Sequence, residues 1–220
     1  MTFHHVPTTL TEIGSKTVDG KRYYETPTGQ LYPSVTTVMS IYNIDAIMEW
    51  RKRVGAEEAN KIAGRAARRG TSMHTVCENY LKNQHDTSKL MPSTLQLFKS
   101  IQPWIDKYID NVHAIEAPLF SDHLEVGGRV DCIAEFDGKL AIVDYKTSSR
   151  RKDESKIQNY FMQCAAYAVM YEERTGISVP RIAIVMAVED DHPLLFVKKR
   201  DDYIDNFISL RKEYKRRFDK

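Results

Sequence analysis

Asp144-Tyr145-Lys146 closes the apolar run Leu140-Ala141-Ile142-Val143, and upstream Asp131 ends a second extended stretch, Gly127-Gly128-Arg129-Val130. In a strand, residues two apart share a face, so the Asp144 carboxylate and the Lys146 ammonium project together while Tyr145 points away. Between the stretches, Phe136-Asp137-Gly138-Lys139 reads as a hairpin turn, because Asp-Gly flanked by apolar runs is a strong hairpin signal. Asp131 and Asp144 are therefore expected to face each other across paired strands, beside one cation. Hard divalent ions such as Mg²⁺ and Mn²⁺ prefer oxygen ligands, and carboxylates with phosphate oxygens and water are their usual set in phosphoryl chemistry. A metal there polarises a phosphodiester and acidifies the attacking water. A neighbouring lysine orients that water or, with its pKa lowered by the cation, takes its proton.

The elements that must position these groups follow an α/β order. Residues 22–39 read as a short hairpin around Pro27-Thr28-Gly29. Helical stretches run from about Asp45 to Asn83, punctuated by Gly55, Gly64 and Gly70, and from Ser93 to Asn111. Strands are expected near 112–120, 124–136, 139–146, 181–188 and 194–198, with a helix around Gln163 and another from Asp201 to the end. The expectation is one domain over 1–220: a mixed sheet flanked by helices at 112–198, an N-terminal hairpin and helical elaboration at 1–111, and a closing helix at 199–220.

Composition narrows the class. With 220 residues, 42% hydrophobic and 28% charged, the chain can bury a full core. No apolar run is long enough to span a bilayer and Met1-Thr2-Phe3-His4-His5 does not begin a signal peptide, so an intracellular, soluble protein with no membrane partner is expected. Cys77, Cys132 and Cys164 are scattered and form no CxxC, which argues against a disulfide framework, a zinc site and a four-cysteine iron-sulfur cluster. A net charge of +2 does not by itself announce nucleic acid. Its distribution is more informative. Arg51, Lys52, Arg53, Lys61, Arg65, Arg68 and Arg69 gather in one stretch, and Arg150, Arg151, Lys152 and Lys156 follow the Asp144 strand. Glu189, Asp190, Asp191, Asp201, Asp202 and Asp205 are expected to lie elsewhere, away from a phosphate path. For each basic residue the blander reading is a solvated helix face. Thr147, Ser148 and Ser149 either bind phosphate or form a plain polar loop. Tyr23, Tyr24, Tyr32, Trp50 and Trp104 either stack on bases or, more ordinarily, pack in the core.

Val130-Asp131 followed by Asp144-Tyr145-Lys146 resembles the PD-(D/E)XK nuclease superfamily, with valine in place of proline. Gln163 and Tyr167, four apart in Gln158 to Glu173 and thus on one helix face, resemble the Gln-xxx-Tyr element of its RecB-like branch. Gly70 to His74 resembles that branch's Gly-xxx-His element, and Glu116 takes the place of its glutamate before the first catalytic Asp. His74 alone would be an ordinary helix histidine, and Glu116 an ordinary strand glutamate. The run Tyr32-Pro33-Ser34-Val35-Thr36-Thr37 is similar to one near the start of small bacteriophage exonucleases, which with the mitochondrial genome maintenance exonucleases are the relatives the chain most resembles.

The resemblance implies a restriction-endonuclease-like core and a metal-dependent deoxyribonuclease, an exonuclease preferring single-stranded DNA, in phage or organellar-type replication, recombination or degradation. One or two Mg²⁺ or Mn²⁺ ions would be held by Asp131, Asp144, the Tyr145 carbonyl, His74 and Glu116. Lys146 would position or deprotonate the water, Gln163 would hold the site or the strand, and Tyr167 would support it. DNA contacts would come from Arg65, Arg68, Arg69, Ser148, Arg150, Arg151 and Lys152. Two other classes use the same residues differently: a structure-specific or restriction-like endonuclease, and a decayed, non-catalytic DNA-binding protein. The presence of every carboxylate and the lysine weighs against decay.

Overall fold

The computed structural model describes residues 1–84 and 86–219. The chain opens with three short strands, β1 (Ser15–Val18), β2 (Lys21–Glu25) and β3 (Leu31–Pro33), forming an antiparallel sheet in that order. Helices α1 (Val35–Met39), α2 (Ile44–Val54), α3 (Ala56–Leu81) and α4 (Pro92–Tyr108) follow. The second sheet comprises β4 (Ile109–Ser121), β5 (Val126–Phe136), β6 (Lys139–Ser148), β7 (Arg181–Val188) and β8 (Leu194–Lys199). Helix α5 (Gln158–Thr175) connects β6 to β7, and α6 (Ile204–Phe218) closes the chain.

The five strands lie in sequence order. β4, β5 and β6 are antiparallel neighbours, β6 and β7 run parallel, and β8 returns antiparallel, so the sheet is mixed. The single parallel step requires a crossover, and α5 supplies it. At the hairpin, Phe136 pairs with Lys139, while Asp137 and Gly138 have φ of 52° and 71°. Positive φ at both central residues gives the turn whose twist matches the strands, which is why Asp-Gly specifies it. That turn fixes the register as far as Cys132 opposite Val143, and just beyond it Asp131 of β5 accepts from the Tyr145 amide of β6, next to Asp144.

Both sheet faces are covered, as the buried runs in β6 and β7 require. On one face Val130, Ile142, Ile182 and Ile184 pack with the Phe161, Ala165 and Ala168 face of α5 and with Phe207 and Tyr214 of α6. On the other, Cys132, Val143, Tyr145 and Val185 pack beneath Met73, Cys77 and Leu81 of α3 and Phe98, Ile101 and Ile105 of α4. Each apolar stripe recurs at helical spacing. The small sheet is joined to the large one by Tyr24, which lies so close to Gly127 that a Cβ there would collide with Tyr24 Cβ. A parallel bridge from Ser34 to the same glycine adds a second attachment.

Three local expectations change. The hairpin within 22–39 exists as β2 and β3, but β1 adds a third strand and α1 begins at Val35, with Ser34 Oγ accepting from the Thr37 amide at its N-terminus. Gly55, with φ 86°, separates α2 from α3, whereas Gly64 and Gly70 lie inside an unbroken α3. A helical glycine costs about 1 kcal/mol relative to alanine, which the packed C-terminal half of α3 offsets. Helix α4 ends at Tyr108, so β4 begins earlier than expected.

Candidate active site

Asp131, at the middle of β5, is the hub. Its Oδ2 lies 3.2 Å from His74 Nδ1 and accepts a hydrogen bond from the Tyr145 amide at 3.1 Å. His74 comes down from α3, whose apolar face packs on the same side of the sheet. Glu116 reaches in from β4, at the position facing Asp131, and His74, Glu116 and Asp131 can each offer a ligand atom within 4.8 Å of the others. The backbone at Glu116 has φ 48°, a left-handed conformation that costs a β-strand residue about 1–2 kcal/mol. The ladder pairs resume on either side, Ile115 with Cys132 and Ala117 with Val130. Strain at one residue between regular pairs is the pattern found where a side chain is aimed at a site.

Asp144 and Lys146 project together, as their spacing requires, and Lys146 Nζ lies 2.5 Å from Asp144 Oδ2. Asp144 is buried and Lys146 nearly so. The Lys146 ammonium also sits 5.1 Å from the centroid of the Tyr160 ring, whose hydroxyl accepts from Lys152 Nζ at 3.1 Å. Tyr160 belongs to the site although no sequence expectation named it. Its spacing to Gln163 and Tyr167, three and seven residues on, places all three on one stripe of α5 and was the available signal. Tyr167 is buried against Gly128, where a Cβ would lie 2.6 Å from its ring Cε1. The Gly127-Gly128 pair thus makes room for Tyr24 on one side of the site and Tyr167 on the other.

The electrostatics follow from burial and pairing. Burial works against the Asp131 carboxylate, but His74, Lys146 and the Tyr145 amide together hold it below its ordinary range. Burial raises the Asp144 carboxyl, with Lys146 opposing. Glu116 is raised by burial and by the nearby Asp131 charge. His74 loses hydration, yet the Asp131 hydrogen bond raises it overall. Lys146 is likewise raised, Asp144 and Asp131 overcoming the cost of burial. Carboxylates gathered in a buried site with an imidazole among them are a ligand set for a cation. One imidazole nitrogen and several carboxylate oxygens suit a hard or borderline divalent ion, so these residues fit the Mg²⁺ or Mn²⁺ that the resemblance implies. Asp144 stands beside the His74, Glu116 and Asp131 group, with its Oδ2 engaged by Lys146.

Asp131, His74, Lys146, Gln163 and Tyr167 line one cavity of ≈ 270 Å³, together with residues of β2 and α1. The comparison with family models is decisive at this point, because residues 46–203 match the PD-(D/E)XK nuclease superfamily. The chain belongs to that superfamily. The mixed sheet flanked by helices is consistent with its core, and Asp131, Asp144 and Lys146 all lie within the matched range. Mitochondrial genome maintenance exonuclease 1 from Homo sapiens is 28% identical over 176 residues, 73% of this chain and 50% of that protein. Its Xenopus tropicalis counterpart is 26% identical over 174 residues, again 73% and 50%. The chain therefore spans about half the length of the curated relatives it matches. A solved structure from Eubacterium rectale, described as a candidate exonuclease, superposes with a TM-score of 0.49 at 13% identity, over 68% of this chain and 65% of that one.

The basic residues expected to meet DNA divide. Arg65, Arg68, Arg150 and Arg151 are exposed. Arg69 is mostly buried and paired with Glu189 Oε2 at 2.8 Å, with Arg65 3.5 Å from Glu189 Oε1. Glu189 is thus not held apart from the basic stretch, because the residue following β7 reaches Arg65 and Arg69 of α3. Ser148 is buried and donates to the Arg150 carbonyl at 2.6 Å, so its hydroxyl shapes the turn after β6. Tyr24 is core, and Tyr32 donates to Asp122 Oδ1 at 3.0 Å. Cys77, Cys132 and Cys164 are free and buried. No helix among the described residues is long and apolar enough to cross a membrane.

Proposed function

We propose that this member of the superfamily is a Mg²⁺- or Mn²⁺-dependent deoxyribonuclease acting as an exonuclease on single-stranded DNA ends. The observation that carries the reading is the meeting of His74, Glu116 and Asp131 within 4.8 Å of one another beside the Lys146–Asp144 pair. His74, Glu116 and Asp131 would hold a divalent ion, with Asp144 and the Tyr145 carbonyl completing the set. Such an ion, when bound, polarises the scissile phosphate and acidifies a water. Lys146 positions that water, held in place by Asp144 and by the face of Tyr160. Gln163 contacts the strand from α5, and Tyr167, wedged on Gly128, keeps β5 and α5 in register. Hydrolysis leaves a 5′-phosphate.

Exonuclease action is supported by the names of the curated relatives. The ≈ 270 Å³ cavity is of a size to take a single nucleotide-sized group beside Asp131 and Lys146. Exposed Arg65, Arg68, Arg150 and Arg151 would supply further phosphate contacts. The test is a time course on end-labelled linear and circular single-stranded oligonucleotides with Mg²⁺, Mn²⁺ or EDTA. Metal-dependent shortening of the linear strand is expected, abolished in Asp144→Ala and Lys146→Ala. Rapid cutting of the circle would make it an endonuclease, and metal-dependent binding without any cleavage would make it a decayed member.

A further inference from the structure

Ser34-Val35-Thr36-Thr37 lies far from Asp131 in sequence, and its contacts show what it fixes. Ser34 Oγ bonds Thr36 Oγ1 at 2.9 Å and Thr37 Oγ1 at 2.7 Å, forming a knot of hydroxyls at the start of α1. That knot grips the backbone of Arg22 in β2. The Ser34 amide donates to the Arg22 carbonyl at 2.8 Å, Thr37 Oγ1 donates to the same carbonyl at 3.1 Å, and the Arg22 amide donates to Thr37 Oγ1 at 3.2 Å. The same segment is anchored on β5 through Tyr24 and Ser34 at Gly127, four positions before Asp131.

Arg22 lines the cavity that holds Asp131, Lys146 and Gln163, and Thr36 lines it beside Arg22. Among the described residues its guanidinium has no hydrogen-bond or ion-pair partner. Asp131, the carboxylate lining the cavity, is met by His74, and Asp144 by Lys146, while Glu116 is not among the lining residues. Arg129, also at the cavity, donates to the Glu116 carbonyl. A permanently charged, planar fork held on a triply bonded backbone, facing a cavity with no acid left for it, is suited to a bidentate phosphate.

We infer that Arg22 is a substrate-binding residue that grips the backbone phosphate next to the scissile one. The Ser34–Thr37 hydroxyls position it, with Thr36 as a second donor to the same phosphate. This rests on the nuclease reading and specifies which phosphate the small N-terminal sheet holds. It gives β1 to β3 a part in binding rather than a purely structural one.

The test measures binding of a short single-stranded oligonucleotide in Ca²⁺ and cleavage in Mg²⁺ for wild type, Arg22→Gln and Arg22→Lys. Each is assayed on unmodified DNA and on DNA with one neutral methylphosphonate flanking the scissile position. Arg22→Gln is expected to bind about 10- to 100-fold more weakly, the usual effect of losing hydrogen bonds to a charged group. Its plot of log affinity against log salt should be shallower by about 0.7, one phosphate contact on a single strand. The methylphosphonate should weaken wild type by a similar factor and leave Arg22→Gln nearly unaffected, with Arg22→Lys in between. Thr37→Val, which loosens the Arg22 backbone, should show a smaller loss in the same direction. Equal binding by wild type and a folded Arg22→Gln, or a methylphosphonate penalty of the same size in both, overturns the inference. Wild type that binds without cleaving overturns the nuclease reading instead, and the binding comparison then still decides Arg22.

Discussion

At the residue scale, one position stores a local cost that the site explains. Glu116 sits in left-handed backbone between regular ladder pairs, where glycine would be relaxed. Glu116→Gly should relieve about 1–2 kcal/mol of backbone strain while adding about 0.5–1 kcal/mol of unfolded-state entropy. The variant is thus expected to be as stable as wild type or slightly more so, yet to bind Mn²⁺ more weakly. Thermal melting and a metal titration on the same preparation check both halves, and a variant that is clearly less stable would remove the strain argument. Gly128 illustrates the opposite constraint, because a Cβ there would meet the Tyr167 ring at 2.6 Å. Gly128→Ala should cost about 1–3 kcal/mol by overpacking. Adding Tyr167→Leu should recover part of that loss, and a double-mutant cycle in urea showing no coupling would mean that the clash is relieved elsewhere.

At the element scale, the sequence carried most of the catalytic core because its signals are local. Asp137-Gly138 announces a turn, the extended stretch before Asp131 and the apolar run before Asp144 announce β5 and β6, and together they bring the two aspartates near each other. β1 was not legible because Ser15 to Val18 is exposed throughout and shows no apolar alternation. The long α3 was read as interrupted, since Gly64 and Gly70 are breakers only where packing does not oppose them. Arg69 looked like a DNA contact, yet its partner Glu189 is remote in sequence and becomes a neighbour only when the residue after β7 comes beside α3 in the folded chain. Arg69→Ala should therefore act on stability, lowering it by about 1–2 kcal/mol, because Glu189 is left partly buried with only a longer contact to Arg65. Exposed Arg68 should act on DNA, its alanine variant reducing the salt dependence of binding with little change in urea midpoint. Reversal of these two phenotypes would restore the basic stretch as one continuous phosphate track.

For the whole molecule, the site exists only where β2, α1, α3, β4, β5, β6 and α5 converge, which is why Arg22 and Tyr160 escaped a reading built on spacing along the chain. The same convergence partly buries groups with no part in the chemistry, and one of them contributes to the response of the fold to acid. His113 of β4 lies between the sheet and α5, with Nδ1 3.2 Å from the Tyr171 hydroxyl. Burial lowers its pKa below the ordinary histidine value, with Glu135 only partly opposing. In the unfolded chain the same imidazole binds its proton at about pH 6.5, so acid favours the unfolded state. The contribution of neutral His113 is complete well above that pH and is lost as pH falls through it toward the lower folded value. His113→Gln keeps a polar group near Tyr171 without the titration. Urea unfolding at about pH 8 and about pH 5.5 should thus show wild type losing more stability on acidification than the variant. An equal loss in both proteins would assign the acid sensitivity to other groups and remove His113 from it.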